Sequence, residues 1–392
     1  MKILFIGDAY SSHTAQWFHH LNDLGWKIYL YDPGNGLIHP DMNNIVLYTG
    51  WQKLDIPNGV KIISRWPVIR GRHFMQNELP FIWSLILGKP HVRLLDIIRQ
   101  VGPDVIHVLG MQPNGYVMLD MLKTLKGKLD IPWIYSCRGN DIYYWSQFSD
   151  HQKKIMEFLS LCPYYTCNCE RDYVLAKQNG FRGILLGYFQ AVGGYPISEM
   201  QKLKKNDLPS LRKTIAIKGL QGTWGRSITA LDALTKCRYL LNDHKIWVYQ
   251  AYPETKEKVK EINQKFNLNI QIFPRQHYRQ MWQLFGESRL AIGISLVDGV
   301  PNSMIEAMIM GAFPIQTNPG GASSEWIAHG QNGFLVSHDD VDQIASFIEI
   351  VLSDDRLVDH ASLQNFSLCS EKIDSAKMRK KISSMYLDIR NH

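Results

Sequence analysis

Residues 295–311 read SLVDGVPNSMIEAMIMG, directly after the apolar run Leu290–Ile294. A run of that kind, closed by a loop, is how a strand buried in a parallel sheet looks. Asp298 stands in the loop, where Gly299 permits close backbone approach or an unusual φ. Pro301 suits a helix entry, and Asn302 and Ser303 are good N-cap types. Ile305, Met308 and Ile309 then make the apolar stripe of a helix, with Glu306 about one turn in. A helix N-terminus presents N–H groups without intrahelical partners and about half a positive charge, which suits a diphosphate. Two carboxylates flank that point. Asp298 is placed to accept from sugar hydroxyls and Glu306 to take a ribose diol, because an ionised carboxyl accepts without donating. Phosphates, a sugar and a ribose in that order describe a nucleotide-sugar. On spacing alone, a plain βα loop with solvated acids explains the stretch about as well.

Working outward, the strand–helix alternation continues in both directions. Predicted strands are Ile3–Ile6, Ile28–Tyr31, Val105–Val108, Trp133–Ser136 and Tyr164–Cys167, then Thr214–Ile217, Ile246–Tyr249, Ile270–Phe273, Leu290–Ile294, Phe313–Thr317 and Gly333–Val336. Helical patterns fall at Thr14–Leu24, His91–Val101, Ser227–Leu234, Tyr278–Phe285, Ser303–Gly311 and Val341–Ser353. Such alternation predicts α/β architecture with parallel sheets and crossover helices. The pattern occurs twice, separated by the polar stretch 187–213 with Gly193-Gly194 and the basic run Lys202–Lys205. The expectation is two doubly wound, Rossmann-like domains facing a cleft: 1–190, 191–370, and a basic terminal helix at 371–392 that packs back on the first.

Composition excludes other classes. The 392 residues are 45% hydrophobic and 20% charged, a globular mixture, and the formal charge of +7 suits an anionic ligand or surface without choosing one. The six cysteines form no CxxC pair; Cys167 and Cys169 read as two residues on one face of a strand. Buried structural thiols in a reducing compartment are expected. MKILFIGD at the N-terminus reads as a strand, not a signal peptide, and the longest apolar stretch, Pro80–Gly88, is about half of a membrane span. Residues 62–100 break the alternation, mixing Trp66, Phe74, Phe81, Trp83 and Ile86 with Arg65, Arg70, Arg72, Lys89 and Arg93. That mixture fits an interfacial membrane segment or core helices with basic faces, about equally. Asp340-Val-Asp342 is DxD-like but sits where an acidic helix start is expected, so no metal site is predicted.

At this point the chain resembles a known family. Asp298, Glu306-Ala307-Met308 with Gly311, Thr317 with Gly320-Gly321 and Glu325, and Asn332–Val336 together resemble the C-terminal signature of retaining family 4 glycosyltransferases (glycosyl transferases group 1) of GT-B architecture. The family usually has Glu where this chain has Asp298. An Arg and a Lys clamp the donor diphosphate in the family. Lys218 and Arg226, around Gly222, are the matching cations, with types exchanged and longer spacing. In the first half, Met1–Asp8 with Gly7 resembles the first strand and its glycine loop, and Pro103–His107 resembles the family's PD-x-x-H segment. Arg138-Gly139-Asn140-Asp141 resembles an HG-x-D loop, with Arg138 in place of the histidine that contacts the donor sugar. His107 reads better as a core histidine than as a ligand. His13 is placed in a loop facing the cleft.

The resemblance implies a retaining, metal-independent transfer from a nucleotide-sugar, with no further cofactor. Lys218, Arg226 and Asp298 would be catalytic. Glu306, Gly299, Asn302, Ser303, Gly222 and Gly7 would bind the donor, and His13, Arg138 and Asp141 would line the acceptor side. The partners expected are the nucleotide-sugar, a glycan or lipid-linked acceptor of the cell envelope, and an anionic membrane surface through residues 62–100, with the protein in the cytoplasm or on the inner face of the plasma membrane; nucleic acid is not expected. A nucleotide-sugar epimerase or a phosphorolytic enzyme on the same architecture is the alternative.

Overall fold

The computed structural model describes residues 1–51, 55–66, 89–205, 207–274 and 276–391. The chain divides into two compact units, Met1–Gly194 with Ser375–His392, and Tyr195–Asp374.

In the first unit β1 (Lys2–Ile6), β2 (Lys27–Tyr31), β3 (Ile45–Trp51), β4 (Val60–Trp66), β5 (Val105–Leu109), β6 (Trp133–Ser136), β7 (Tyr164–Cys167) and β8 (Ile184–Tyr188) form one sheet in the order β4-β3-β2-β1-β5-β6-β7-β8. Every pairing is parallel. Crossovers run through α1 (Ser12–His19), α2 (Pro90–Val101), α3 (Tyr116–Thr124), α4 (Ser149–Leu161) and α5 (Glu170–Gln178). The α2 sequence shows why it is a helix: Pro90 sits in the first turn, Gly102 ends it at φ 56°, and Leu94, Ile97, Ile98 and Val101 recur at helical spacing and are buried.

In the second unit β9 (Thr214–Lys218), β10 (Lys245–Tyr249), β11 (Ile270–Ile272), β12 (Ser288–Gly293), β13 (Phe313–Thr317) and β14 (Phe334–Val336) give the order β11-β10-β9-β12-β13-β14, again all parallel. Its helices are α6 (Ile197–Leu203), α7 (Ser227–Lys236), α8 (Pro253–Phe266), α9 (Tyr278–Glu287), α10 (Asn302–Met310), α11 (Val341–Ser353) and α12 (Asp355–Lys372). The acidic start of α11 is a cap: Asp340 accepts from the Gln343 N–H at 2.9 Å. Asp342 pairs with Lys236.

The last helix, α13 (Ser375–Asn391), belongs to the first unit and supplies Met378, Ile382, Met385, Tyr386 and Ile389 to the core around β1 and α1. A buried polar chain fastens it. Trp17 Nε1 donates to the Tyr386 hydroxyl at 3.0 Å, which is 2.5 Å from His107 Nδ1. His107 Nε2 is 2.6 Å from Ser136 Oγ, itself 2.6 Å from Thr166 Oγ1. Burial pushes His107 down to about 3, so the ring is neutral. The arrangement that leaves no group of this chain unmet has the Tyr386 hydroxyl accepting from Trp17 and donating to Nδ1, with Nε2–H donating to Ser136, because Nδ1 is the acceptor within reach of the Tyr386 proton. His107 is thus a satisfied core histidine. Tyr386→Phe leaves the Trp17 N–H and the His107 Nδ1 without partners and should cost about 2 kcal/mol, read as a lowered midpoint in thermal or urea unfolding.

Two expectations are corrected here. Cys169 lies beyond the end of β7, as the residue before α5, rather than in the strand with Cys167; all six cysteines are buried free thiols. His13 is in the first turn of α1, capped by Ser11, and not in a loop. Of the basic-aromatic segment, Trp66 ends β4 half-exposed, and Arg93 on α2 donates to the Thr49 carbonyl at 2.9 Å. Phe74, Phe81, Trp83, Ile86, Arg70 and Arg72 lie outside the described residues. Among the described residues, no helix is long and apolar enough to cross a membrane.

Candidate active site

The order of the second sheet reverses between β9 and β12, and ligands of such sheets bind beyond the carboxyl ends of the strands at that point. Lys218 is the last residue of β9; Ser295 and Asp298 follow β12. Their side chains meet: Lys218 Nζ donates to Asp298 Oδ2 at 2.8 Å and to Ser295 Oγ at 3.2 Å. The Lys218 side chain is only 10% exposed and Asp298 30%. Thr317, at the end of β13, donates to the Ser295 carbonyl at 2.6 Å and joins a third strand end to the cluster.

The loops after β9 and β12 are zipped by backbone. Arg226 N–H donates to the Ile294 carbonyl at 2.8 Å, Leu296 N–H to the Trp224 carbonyl at 3.1 Å, and Gly225 bridges Ser295. Gly225 allows this approach, since a Cβ there would lie 2.7 Å from the Leu220 oxygen and 2.9 Å from the Ile294 oxygen. The Arg226 guanidinium turns back on its own loop, donating to the carbonyls of Gly222 and Gly225. The structure therefore joins Lys218 to Asp298, and brings Arg226 beside them through its backbone rather than its charged tip. Gly222 is exposed in a left-handed turn at φ 74°.

The helix α10 begins one residue earlier than its cap types suggest. Pro301 is the N-cap residue, and Asn302 and Ser303 are the first two helical residues, making no side-chain capping bond. Gly299 is buried and has no positive φ, so an unusual φ is not its role. Glu306 follows in the same helix. As a residue it is half-buried, but its carboxyl is enclosed, and burial pushes it up to about 8. The Trp282 indole N–H and the Lys218 charge oppose that rise. Trp282 Nε1 and the Tyr195 hydroxyl are buried with no partner at hydrogen-bond geometry; the indole lies close enough to favour the charged carboxyl without forming a regular bond. Tyr249, at the end of β10 beside Ser303, feels both carboxylates, and burial first, then their charge, holds its hydroxyl above the usual range.

The sequence reading missed Ser295 as a partner of Lys218, and the enclosure of Glu306 by Trp282, Tyr195 and Tyr249. These residues sit on four separate stretches of chain, and nothing in their local spacing points to one another. Among the described residues no group of three or more His, Cys, Asp or Glu is arranged to hold a metal ion.

The remaining candidates lie in the first unit. Gly7 follows β1, buried, with its N–H donated to the Tyr31 carbonyl at 3.0 Å. Asp141 is not an open lining group. It is 5% exposed, and its Oδ2 accepts from Met111 N–H at 2.9 Å, Arg138 N–H at 2.8 Å and the Tyr135 hydroxyl at 2.8 Å. Burial pushes this carboxyl up to about 6 against those three donors. Its work is to tie the loops after β5 and β6 together. Arg138 lines a small pocket at the strand ends. His13 is half-buried on α1.

Comparison with known proteins matches residues 227–365 to the family described as glycosyl transferases group 1. Asp298 and Glu306 lie inside the matched segment; Lys218, Gly222 and Arg226 lie just before it. Comparison with curated proteins gives no match. Among solved structures, HepE of Anabaena in complex with UDP-glucose is similar at TM-score 0.67 and 17% identity, over 99% of this chain and 100% of that one. Sucrose-phosphate synthase of Thermosynechococcus elongatus is similar at TM-score 0.68 and 12% identity, over 99% of each. A glycosyltransferase of Rickettsia africae is similar at 0.63 and 16%, over 99% and 98%. At these identities the structural likeness carries the fold: the chain has the two-sheet α/β architecture of these glycosyltransferase structures, and residues 227–365 of its second unit match the glycosyl transferases group 1 family.

Proposed function

We propose that the enzyme moves a sugar from a nucleotide-sugar to an acceptor hydroxyl with retention of configuration and without a metal ion. The observation that carries this reading is the Lys218–Asp298–Ser295 cluster over the switch point between β9 and β12, in front of the first turn of α10. Lys218 meets the diphosphate, whose charge grows as the glycosidic bond breaks, and a cation already fixed in place stabilises that charge without reorganising. Arg226 releases the loop carbonyls to join it, as a guanidinium can grip phosphate in two places. Asn302 and Ser303 supply first-turn amides. Asp298 and Glu306 take hydroxyls of the sugar and of the ribose. In the step itself the bond from the anomeric carbon to the diphosphate oxygen breaks. A bond to the acceptor oxygen forms on the same face, and the acceptor proton goes to the departing diphosphate, so no protein base is required.

HepE was solved with UDP-glucose and TarM of S. aureus with UDP, which makes uridine the first base to try. The decisive experiment is a thermal-shift series with UDP-, GDP-, ADP- and TDP-sugars, since a ligand that binds only the folded state raises its stability by mass action. One of them should raise the melting temperature of the wild-type protein and lose that effect in Lys218→Ala; no shift with any would remove the proposal. For the acceptor we favour a glycan or lipid-linked molecule of the cell envelope, met at the cytoplasmic face. The basic and aromatic composition of residues 62–100 supports this. Flotation with anionic vesicles at low salt should carry the protein upward; absence of flotation would turn the choice to a soluble acceptor.

A further inference from the structure

An apolar patch stands exposed on the second unit. Pro209–Leu211 is a single 3-10 turn just before β9, and it lies on α12: Ser210 donates twice to the Asp359 carboxyl, from its N–H at 3.0 Å and from its hydroxyl at 2.8 Å. Leu208 and Leu211 flank that clasp three residues apart, a spacing that sets side chains side by side in a 3-10 turn. Both are open to solvent, at 58% and 62%. On α12, Leu363 and Phe366 stand four and seven residues after Asp359, on the same stripe of the helix. They are 71% and 38% exposed, while α12 buries Val358, Ala361 and Cys369 on its other side. A lone exposed leucine is ordinary, but four large apolar side chains around one clasp mark a contact surface.

The charges around the patch choose its occupant. Lys205, Lys213 and Arg356 are exposed and make no ion pair among the described residues. The acids beside them are engaged: Asp207 with Arg212 at 3.5 Å, Asp355 with Arg289 at 2.7 Å, and Asp354 as the helix cap, accepting from the Leu357 N–H at 2.9 Å. A second copy docked face to face would set the exposed cations against one another. Side chains this open project from the surface instead of lining a groove, which suits entry between lipid headgroups better than capture of a peptide. We propose that this patch docks the second unit on an anionic lipid surface, with the leucines and Phe366 entering the interface and the three cations meeting the headgroups. The patch lies toward the amino end of β9, whereas Lys218 and Asp298 stand at the carboxyl ends of the strands, so docking leaves the donor cluster open. The inference rests neither on the donor reading nor on residues 62–100.

The test uses the full chain. All six native cysteines are buried, so Leu363→Cys adds one accessible thiol that takes an environment-sensitive dye at the patch. With vesicles of phosphatidylglycerol and phosphatidylcholine in equal parts at about 50 mM salt, the dye emission should shift to the blue, and about 500 mM salt should reverse the shift. In the unlabelled protein, Leu208→Gln combined with Leu211→Gln should weaken vesicle binding at least about tenfold by co-sedimentation. Lys205→Gln and Lys213→Gln should each weaken it about fivefold. Melting temperature and UDP affinity should stay at the wild-type values in all of them, because the side chains removed are exposed. A protein that floats with no dye shift contacts lipid through another face, residues 62–100 included, and the patch reading is overturned. Absence of any vesicle binding overturns it too, as does an equal shift with phosphatidylcholine alone. A wild-type dimer in sedimentation that the leucine double variant turns into monomer would give the patch to a second copy instead. UDP affinity reports separately on the donor reading.

Discussion

Lys218→Ala should lower turnover by about 10²–10³-fold at saturating donor and acceptor, the loss found when one fixed donor to a developing negative charge is removed. Its ammonium is held on two sides, by Asp298 at 2.8 Å and Ser295 at 3.2 Å, and its side chain is only 10% exposed. A group held so firmly acts as an electrostatic fixture rather than a mobile tether. The loss should therefore fall mainly on kcat, with the acceptor KM little changed. Lys218→Arg should recover only part of the rate, since a planar fork cannot reproduce the two contacts of a compact ammonium. Asp298→Asn offers a contrasting case. It keeps the shape of the side chain but removes the charge that holds Lys218, so both the proposed sugar contact and the cation should suffer. Release of nucleoside diphosphate, followed chromatographically, checks all three, and wild-type turnover in Lys218→Ala would remove the cluster from the reaction.

The parts of the fold that could be read from sequence are those where burial is complete. β1, β5 and β12 are buried on both faces and appear as mostly apolar runs, broken only by Lys2, His107 and the Ser288-Arg289 start of β12, and the alternation they set up with helices defines two parallel sheets. β4 was not legible because it is an edge strand: Lys61, Ser64 and Arg65 interrupt its apolar residues, so its composition resembled the interfacial segment that follows. β8 is another edge strand, and Gly187 falls within it. Helices such as α8 went unread because Lys and Glu dominate them and only Thr255, Val259 and Ile262 are buried.

The candidate site divides along the same line. The carboxylates at 298 and 306 were legible because a single strand–loop–helix unit carries both. The partner of Asp298 was legible only as one of two cations, and the two behave differently. Lys218 ends a strand, so its direction is fixed by the sheet, whereas Arg226 stands in a loop with two free carbonyls in reach and satisfies itself there. Asp141 was misread for a related reason. A sequence shows that a carboxylate lies in a loop at a strand end, but not that three donors from two loops converge on one of its oxygens. An acid satisfied by the backbone and one awaiting a ligand have the same local sequence, and only the hydrogen-bond partners tell them apart.

Glu306 provides the second large effect, and its sign can be worked out from its surroundings. Its carboxyl is pushed up from 4.5 to about 8, chiefly by burial. Between those two pH values the folded protein keeps a proton that the unfolded chain has lost. Stability therefore falls as pH rises through this window, and the penalty is complete above the folded value. Glu306→Gln carries no such proton. The melting temperature of Glu306→Gln relative to wild type should be near zero difference at the acid end and grow to about 3 °C or more at the alkaline end. A difference that stays flat with pH would mean the carboxyl ionises normally. The donor affinity gives the functional half of the test. Glu306→Ala deletes the acceptor proposed for the ribose diol and should weaken UDP about 10- to 100-fold by calorimetry. Glu306→Gln, which keeps an acceptor oxygen, should weaken it less. If Glu306→Ala changes the pH profile of melting but leaves UDP affinity intact, the enclosed acid is a structural strain in α10 and the ribose belongs elsewhere. If both change together, the same enclosure that raises the pKa also shapes the nucleoside pocket, with the Trp282 N–H and the Tyr195 hydroxyl as the buried donors that face it.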